Sequence, residues 1–240
     1  MAELLAELGA SVTLVARSSA DLEAVQRGLA TPRGQTHHRV SADFAEPEQV
    51  RDVAQRLAQD RGTLHVLVNN TGGPPGGPIL DADAAAFERA LRMHLLCNHH
   101  LVQALVPGMR AAGYGRVINI ISTSVREPIP GLGVSNTTRW AVAAWAKTLA
   151  RELASSGITV NNVLPGFTET ERLTSLFATR AQREARSADD VRREALASVP
   201  AGRFAEPREI AAAVAFLASP AASYVNGVNL PVDGGRLHSM

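Results

Sequence analysis

Small polar residues and glycine cluster immediately after the predicted strands of this sequence. A backbone without bulky side chains can approach phosphate and ribose groups closely, so such segments are typical of nucleotide sites. The carboxyl ends of parallel strands meet at one edge of a sheet, where ligands bind. The same residue types also allow a chain to turn after a strand, and this alternative holds for any one segment taken alone. The segments are Arg17–Ser18, Asp43, Asn69–Gly73, Ser122–Ser124 and Pro165–Thr170.

The elements that position these segments alternate between strand and helix along the chain. Short apolar runs predict strands, and stretches with apolar residues every three or four positions predict helices. This alternation indicates βαβ units, and hence one doubly wound α/β domain whose parallel sheet has helices on both faces. The Arg-rich stretch 168–199 predicts a helical insertion or lid within that domain. The predicted strands are Val12–Ala16, Thr36–Val40, Leu64–Val68, Arg116–Ser122, Ile158–Leu164 and Val228–Val232, and the longest predicted helices are Asp83–Ala112 and Ser135–Ser156.

Composition excludes several classes of protein. The 240 residues carry 24 basic and 23 acidic side chains, so no charge field favours nucleic acid or an anionic membrane surface. No apolar run approaches the roughly 18 residues that a membrane span needs. Cys97 is the only cysteine, which excludes an intramolecular disulfide and any multi-cysteine zinc site. We therefore expect a soluble, cytoplasmic protein.

Three histidines lie within seven positions of one predicted helix: His94, His99 and His100. Their spacing does not put all three on one helical face, so the sequence predicts no metal site. We expect His99 and His100 at the surface or at an interface. We expect Cys97 to be a buried small apolar side chain rather than a nucleophile.

Taken together and in order, these segments resemble the short-chain dehydrogenase/reductase family, and within it the 3-oxoacyl-acyl-carrier-protein reductases. The likeness extends from Met1 to Gly235 and implies a Rossmann-like fold. The motifs that carry it are Val68–Gly72 (VNNTG), Gly115–Ser122 (GRVINIIS), Asn161–Gly166 (NNVLPG), Gly202–Pro207 (GRFAEP) and Val232–Gly235 (VDGG).

The resemblance implies a catalytic serine, a tyrosine 13 residues later and a lysine four residues beyond the tyrosine. Ser122 fits the serine, but the other two positions hold Ser135 and Arg139. A phenol has a pKa of about 10 that a nearby cation can lower, whereas an aliphatic hydroxyl is a far weaker acid. Arg139 keeps the positive charge and can hydrogen-bond ribose hydroxyls, but it cannot give up a proton at working pH.

His94 takes the position of the asparagine that completes the proton relay in the family. An imidazole has an ordinary pKa near 6.5. His94 is therefore either a substitute acid, acting directly or through water, or a helix histidine whose ring bonds to backbone. We favour the second interpretation.

The resemblance also implies a nicotinamide dinucleotide cofactor. An acidic residue at the end of the family's second strand binds the ribose 2′-hydroxyl of NAD, whereas arginine suits a 2′-phosphate. Arg17 and Ser18 stand there with no carboxylate before Asp21, which favours NADP over NAD unless Arg17 is an ordinary solvated side chain. The other residues implied at the cofactor are Asp43, Asn69, Gly72, Arg139, Pro165, Gly166, Thr168 and Thr170.

Family members begin with a strand and a glycine-rich turn whose backbone N–H groups hold the cofactor diphosphate. The helix that follows this turn in the family is predicted here from Met1. We therefore expect the central first strand to be missing from this chain, and Met1 to be an internal methionine of a longer protein. A shortened, repaired fold is the alternative.

Two functions remain open. The first is an oxidoreductase that transfers hydride between NADP(H) and a small carbonyl or alcohol substrate, with Ser122 and either Ser135 or His94 acting on the substrate oxygen. The second is a non-catalytic relative that binds, assembles or regulates, which the altered catalytic residues would favour. The resemblance also implies a homodimer or homotetramer that forms through the two long helices.

Overall fold

The computed structural model describes residues 1–239 of the chain. Strands and helices alternate along these residues, as the sequence predicts. The strands are β1 (Thr13–Ala16), β2 (His38–Ser41), β3 (Val66–Asn69), β4 (Gly115–Ile120), β5 (Ile158–Pro165) and β6 (Asn229–Val232). The helices are α1 (Ala2–Glu7), α2 (Ser19–Gly28), α3 (Pro47–Asp60), α4 (Ala84–Leu91), α5 (Cys97–Ala112), α6 (Gly133–Leu153), α7 (Glu171–Glu184), α8 (Ala188–Ala197) and α9 (Pro207–Ala218).

Every strand pair is parallel, but the sheet is in two parts. β1 pairs with β2, and β3, β4, β5 and β6 form a second ladder in that order. Within residues 1–239, no ladder joins β1 to β3. The resemblance places a central strand at this position in the sheet. The described part of the chain therefore has a doubly wound α/β fold whose sheet is interrupted between β1 and β3.

Helices cover both faces of the four-stranded part because neighbouring strand residues point in opposite directions. Val117 of β4 packs in a core with α3, α5 and the end of α6. The next residue, Ile118, packs in a second core with α9 on the other face. Both side chains are buried, as is typical of a parallel sheet between two helical layers.

Local signals explain where the helices begin. Helix α9 starts at Pro207, whose fixed φ suits the first helical position, and Glu206 and Glu209 form a capping box around it. Helix α7 starts after Thr170, whose hydroxyl accepts a hydrogen bond from the backbone N–H of Leu173. This cap fixes the direction in which the chain leaves β5.

The structure moves one predicted boundary and adds detail to two other predicted elements. The helix predicted for Asp83–Ala112 contains a π-helical segment at Arg92–Leu96, and π segments are frequent at functional sites. The strand predicted to end at Ser122 ends at Ile120, so Ser122 lies in the loop beyond it. The predicted insertion contains two helices, α7 and α8, whose inner faces share an apolar core. No helix in the described part of the chain is long and apolar enough to cross a bilayer.

Candidate active site

The ends of three strands open into one cavity of ≈ 460 Å³. This volume lies within the range of about 300–1,000 Å³ that is typical of small-molecule sites. Four of the residues implied at the site line the cavity, namely Arg17 after β1, Asp43 after β2, Gly72 after β3, and His94 in the π-helical segment. The other implied residues lie outside its lining: Ser18, Asn69, Ser122, Ser135, Arg139, Pro165, Gly166, Thr168 and Thr170.

The cavity residues after β1 and β2 are held by local hydrogen bonds. Ser18 caps α2, because its hydroxyl accepts a hydrogen bond from the backbone N–H of Asp21 at 3.2 Å. A carboxylate oxygen of Asp43 accepts a hydrogen bond from the backbone N–H of Ala45 at 2.9 Å. The side chain of Arg17 is exposed and free to reach a ligand in the cavity.

Asn69 lies in a row of asparagine side chains that the sequence analysis missed. Its amide Nδ2 donates to Asn119 of β4 at 2.8 Å, Asn119 donates to Asn162 of β5 at 2.9 Å, and Asn162 donates to Asn229 of β6 at 2.7 Å. The available signal was an asparagine within or beside each of four predicted strands, and the register of the sheet places the four side by side. Buried hydrogen bonds of this kind fix the relative height of the strand ends, and therefore of the loops that follow β3 and β4.

Ser122 begins the loop after β4 and is half-buried. Its Oγ accepts a hydrogen bond from the backbone N–H of Ser124 at 3.0 Å. This bond uses a lone pair of the oxygen, so the hydroxyl hydrogen can still be donated to a substrate oxygen. The arrangement suits Ser122 as a hydrogen-bond donor.

Ser135 and Arg139 are one turn apart on α6 and therefore lie on the same side of that helix. The Ser135 hydroxyl forms no hydrogen bond within residues 1–239. Arg139 is 8% exposed, and its Nη1 donates to the backbone oxygen of Ile120 at 3.1 Å. Burial, with a smaller contribution from the nearby Arg172 cation, lowers the pKa of the Arg139 guanidinium to about 10. Arg139 is therefore still a cation at neutral pH, at the end of the strand that leads to Ser122.

His94 forms a hydrogen bond with a side chain. Its Nδ1 lies 2.6 Å from the Thr71 hydroxyl, so the interpretation that the ring bonds to backbone is wrong. The ring is 1% exposed, and its Nε2 has no partner in the described residues. Burial, reinforced by the Arg139 cation, lowers the pKa of His94 to about 3. The imidazole is therefore neutral at physiological pH, and it can accept or donate a hydrogen bond but holds no imidazolium proton.

We expect His94 to make the fold sensitive to acid. The native protein holds the ring neutral down to about pH 3, while the unfolded chain takes up a proton near pH 6.5. This contribution to stability is complete above about pH 6.5 and is lost as the pH falls, at about 1.4 kcal/mol per pH unit. His94→Asn removes this part of the slope, which urea unfolding across that pH range measures. His65→Asn, at an exposed histidine, is the control, and parallel curves for the wild type and His94→Asn would contradict the prediction.

The segment after β5 turns tightly toward α7. A Cβ on Gly166 would lie 2.7 Å from the Cα of Asp233, so only glycine fits there. The Thr168 hydroxyl donates to the Gly166 backbone oxygen at 3.3 Å, and Thr170 caps α7. These contacts bring the first turn of α7 beside the loop after β3.

Arg172 in that first turn was not predicted. Its Nη2 donates to the backbone oxygen of Pro74 at 2.7 Å. The Nη2 atoms of Arg172 and Arg139 lie 3.3 and 3.7 Å, respectively, from the position that a Cβ on Gly73 would take. The only sequence signal was an arginine at the start of the predicted insertion.

The remaining side chains of the histidine-rich helix have structural contacts. Cys97 is fully buried, and burial raises the pKa of its thiol to about 12, which confirms the prediction of a small apolar side chain. His99 is half-buried, and its Nδ1 accepts a hydrogen bond from the indole N–H of Trp145 at 3.4 Å.

Comparisons with known proteins agree with this architecture. Residues 1–236 match the family model described as "Enoyl-(Acyl carrier protein) reductase". The chain is 35% identical over 237 residues to the 3-oxoacyl-[acyl-carrier-protein] reductase FabG of Vibrio cholerae, covering 98% of this chain and 90% of that protein. It is also 35% identical over 246 residues to the cis-4-hydroxycyclohexanecarboxylate dehydrogenase of Sinomonas cyclohexanicum, covering 98% of this chain and 89% of that protein.

A solved structure gives the same result at the level of the fold. L-sorbose reductase from Gluconobacter frateurii, complexed with NADPH and L-sorbose, superposes with a TM-score of 0.91 at 30% identity, covering 100% of this chain and 91% of that one. The fold and these matches over almost the whole chain agree. The chain is therefore an oxidoreductase of the short-chain dehydrogenase/reductase family, similar to the 3-oxoacyl-acyl-carrier-protein reductases.

Proposed function

We propose that this chain is an NADP(H)-dependent enzyme that transfers hydride between the nicotinamide and a small carbonyl or alcohol substrate. One observation supports the proposal: segments that follow three strands line a single cavity, and Ser122 stands in the loop after the next strand, β4. The non-catalytic alternative has no support in the relatives named above, which are reductases and dehydrogenases.

The residues present fit a dinucleotide. A Cβ on Gly72 would meet no atom within 4 Å, so this loop leaves open space at the cavity. We propose that Arg17 and Ser18 bind the 2′-phosphate and that Asp43 lies near the adenine. Arg139 and the segment Pro165–Thr170 would lie toward the nicotinamide end. When bound, the nicotinamide supplies or accepts the hydride.

The chain's own residues act on the substrate oxygen, which gains negative charge during reduction. Ser122 can donate a hydrogen bond to it, and the Ser135 hydroxyl has no partner within the described residues that would compete. Arg139 supplies a fixed positive charge in a buried setting, where electrostatic stabilisation is strong. Neither an aliphatic hydroxyl nor a guanidinium is an adequate acid at neutral pH, and His94 is neutral there. We therefore propose that the serines hold the substrate oxygen and that water beside them relays a proton to it from bulk solvent.

Three further features complete the proposal. The insertion 168–199 covers the substrate, since α7 begins beside the loop after β3. Helices α5 and α6 pair two chains, which is consistent with the partly exposed side chain of Trp140. The enzyme works in the cytoplasm on small molecules.

An assay of NADPH consumption with aldehydes, ketones and oxo acids tests the function. We expect saturable oxidation of NADPH with at least one carbonyl compound. Binding of NADPH, measured by its fluorescence, without turnover of any compound would leave the non-catalytic alternative. Failure to bind either dinucleotide would overturn the proposed cofactor.

We expect Arg17→Asp to reverse the cofactor preference. The new carboxylate accepts hydrogen bonds from ribose hydroxyls and repels a 2′-phosphate. Loss of one charge-assisted hydrogen bond weakens the binding of a ligand by about 10- to 100-fold. The KM for NADPH should therefore rise by that factor. Arg56→Asp, at an exposed residue of α3, makes the same charge change away from the cavity and is the control. If the ratio of the KM for NADPH to the KM for NADH is the same in Arg17→Asp and in the wild type, Arg17 does not bind the cofactor.

A further inference from the structure

Two arginine side chains from distant parts of the chain meet beside Gly73. Arg139 comes from α6 and Arg172 from the first turn of α7. One terminal nitrogen of each lies within 4 Å of the position that a Cβ on Gly73 would occupy. A Cβ at this position would be tight against Arg172 and in ordinary contact with Arg139, so both guanidinium groups border the Gly73 backbone.

Neither guanidinium has a carboxylate partner. Within residues 1–239, Arg139 and Arg172 form no ion pair. Each donates one hydrogen bond to a backbone oxygen, Arg139 to that of Ile120 and Arg172 to that of Pro74. Other arginines of the same insertion do have such partners: Arg180, Arg186 and Arg192 each pair with a glutamate. Among the arginines of the insertion, Arg172 is thus the one without a carboxylate in the described residues, and its neighbour at Gly73 is a second unpaired cation.

Two neighbouring cations, one of them almost fully buried, destabilise a fold unless an anion offsets them. A guanidinium has five N–H donors, and each of these two uses one of them on the protein. The remaining donors can bind the two oxygens of a carboxylate, which a planar guanidinium matches in geometry. The pair therefore has the charge and the free donors of an anion site.

The position of the pair favours the substrate over the cofactor as the source of the anion. Arg139 holds the backbone oxygen of Ile120, two residues before Ser122, at the end of β4. Arg17, which we assign to the cofactor phosphate, follows β1 in the other part of the sheet. An anion at Arg139 and Arg172 would lie on the Ser122 side of the site.

We propose that Arg139 and Arg172 together bind a carboxylate of the substrate, so that this enzyme acts on oxo acids and the corresponding hydroxy acids. The inference rests on the proposed function, since it names the class of substrate. Arg172 stands at the start of the insertion, so binding of the carboxylate would also hold α7 against the loop after β3.

The test compares each of pyruvate, acetoacetate and levulinate with its carboxamide, which keeps the shape but lacks the charge. We expect kcat/KM for the preferred acid to exceed that for its amide by about 10- to 100-fold, as for a lost charge-assisted hydrogen bond. Arg172→Met should abolish this preference while KM for NADPH stays unchanged, and Arg172→Lys should keep part of it. Arg151→Met, at an exposed residue near the end of α6, is the matched control.

A second measurement separates this inference from the proposed function. Calorimetric titration of the same acids into the protein with NADPH reports binding without turnover. Acid binding that Arg172→Met abolishes and Arg151→Met preserves would support the anion site even if no compound is turned over, and in that case only the proposed function fails. Equal use of acid and amide by the wild type, or an Arg172→Met variant whose only defect is a raised KM for NADPH, would overturn the inference.

Discussion

Ser122→Ala is expected to lower kcat/KM by about 10²- to 10³-fold, the loss typical of removing one hydrogen-bond donor to a developing oxyanion. The hydroxyl lies in the loop after β4, and its hydrogen is not needed for the bond that Oγ accepts from Ser124. Because this donor acts on the substrate oxygen, the effect should fall on turnover, while KM for NADPH should change little. Steady-state kinetics with the best substrate of the carbonyl panel measure it.

Two controls separate chemistry from folding. Ser122→Ala also removes the oxygen that accepts a hydrogen bond from the Ser124 N–H. Loss of such a capping hydroxyl lowers the free energy of unfolding by about 1 kcal/mol. The thermal midpoint must therefore be measured alongside the kinetics. Ser219→Ala removes a hydroxyl at the far end of α9 that donates only to a backbone oxygen, and it should leave kcat/KM unchanged. A folded Ser122→Ala variant with wild-type kcat/KM would exclude Ser122 from the reaction.

Arg139→Met is expected to abolish most of the activity and yet to stabilise the protein. The guanidinium is 8% exposed with no carboxylate partner in the described residues, and keeping such a charge out of water is costly. Methionine fills a similar volume without a charge, so we expect a gain of about 1–3 kcal/mol, which corresponds to about 2–4 °C in Tm per kcal/mol in a chain of this size. Activity should fall by about 10²- to 10³-fold because the fixed positive charge at the site is lost.

Calorimetric melting and kinetics on the same preparation test both halves of this prediction. Val142→Met, one turn further along α6 at a buried apolar position, shows what a methionine does in this helix without a change of charge. A large loss of stability in Arg139→Met would mean that the arginine stabilises the fold through its hydrogen bond to the Ile120 backbone oxygen. Lower activity together with higher Tm would mean that the arginine is kept for function at the expense of stability.

Arg139→Met is expected to lower activity and to raise stability, and these opposite effects distinguish a functional arginine from a structural one. A lysine or arginine at a solvated surface contributes little either way. Arg139 is almost fully buried, and it donates a hydrogen bond to the backbone oxygen of Ile120. Its guanidinium also lies near a second cation, Arg172. The two neighbouring cations are therefore consistent with the carboxylate site inferred above.

The order of the elements and the edge of the sheet where the site forms follow from the pattern of residue types. Apolar runs predict all six strands to within two residues of their ends, because strands covered by helices on both faces are rich in apolar side chains. The strand predicted at 36–40 begins two residues before β2, in which half-buried and exposed residues alternate and give little apolar signal. The sequence also predicts that α9 starts at Pro207, because the residues that cap this helix are adjacent in the chain.

The contacts of the site residues do not follow from that pattern, because they join distant parts of the folded chain. The Thr71–His94 bond joins residues 23 positions apart, and Arg172 meets the Pro74 oxygen across 98 positions. Spacing along a chain carries no information about such pairs, since they depend on how loops and helices pack. The burial that holds His94 neutral and leaves Arg139 without a carboxylate has the same origin: a side chain's pKa and charge balance are set by neighbours that only the folded chain brings together.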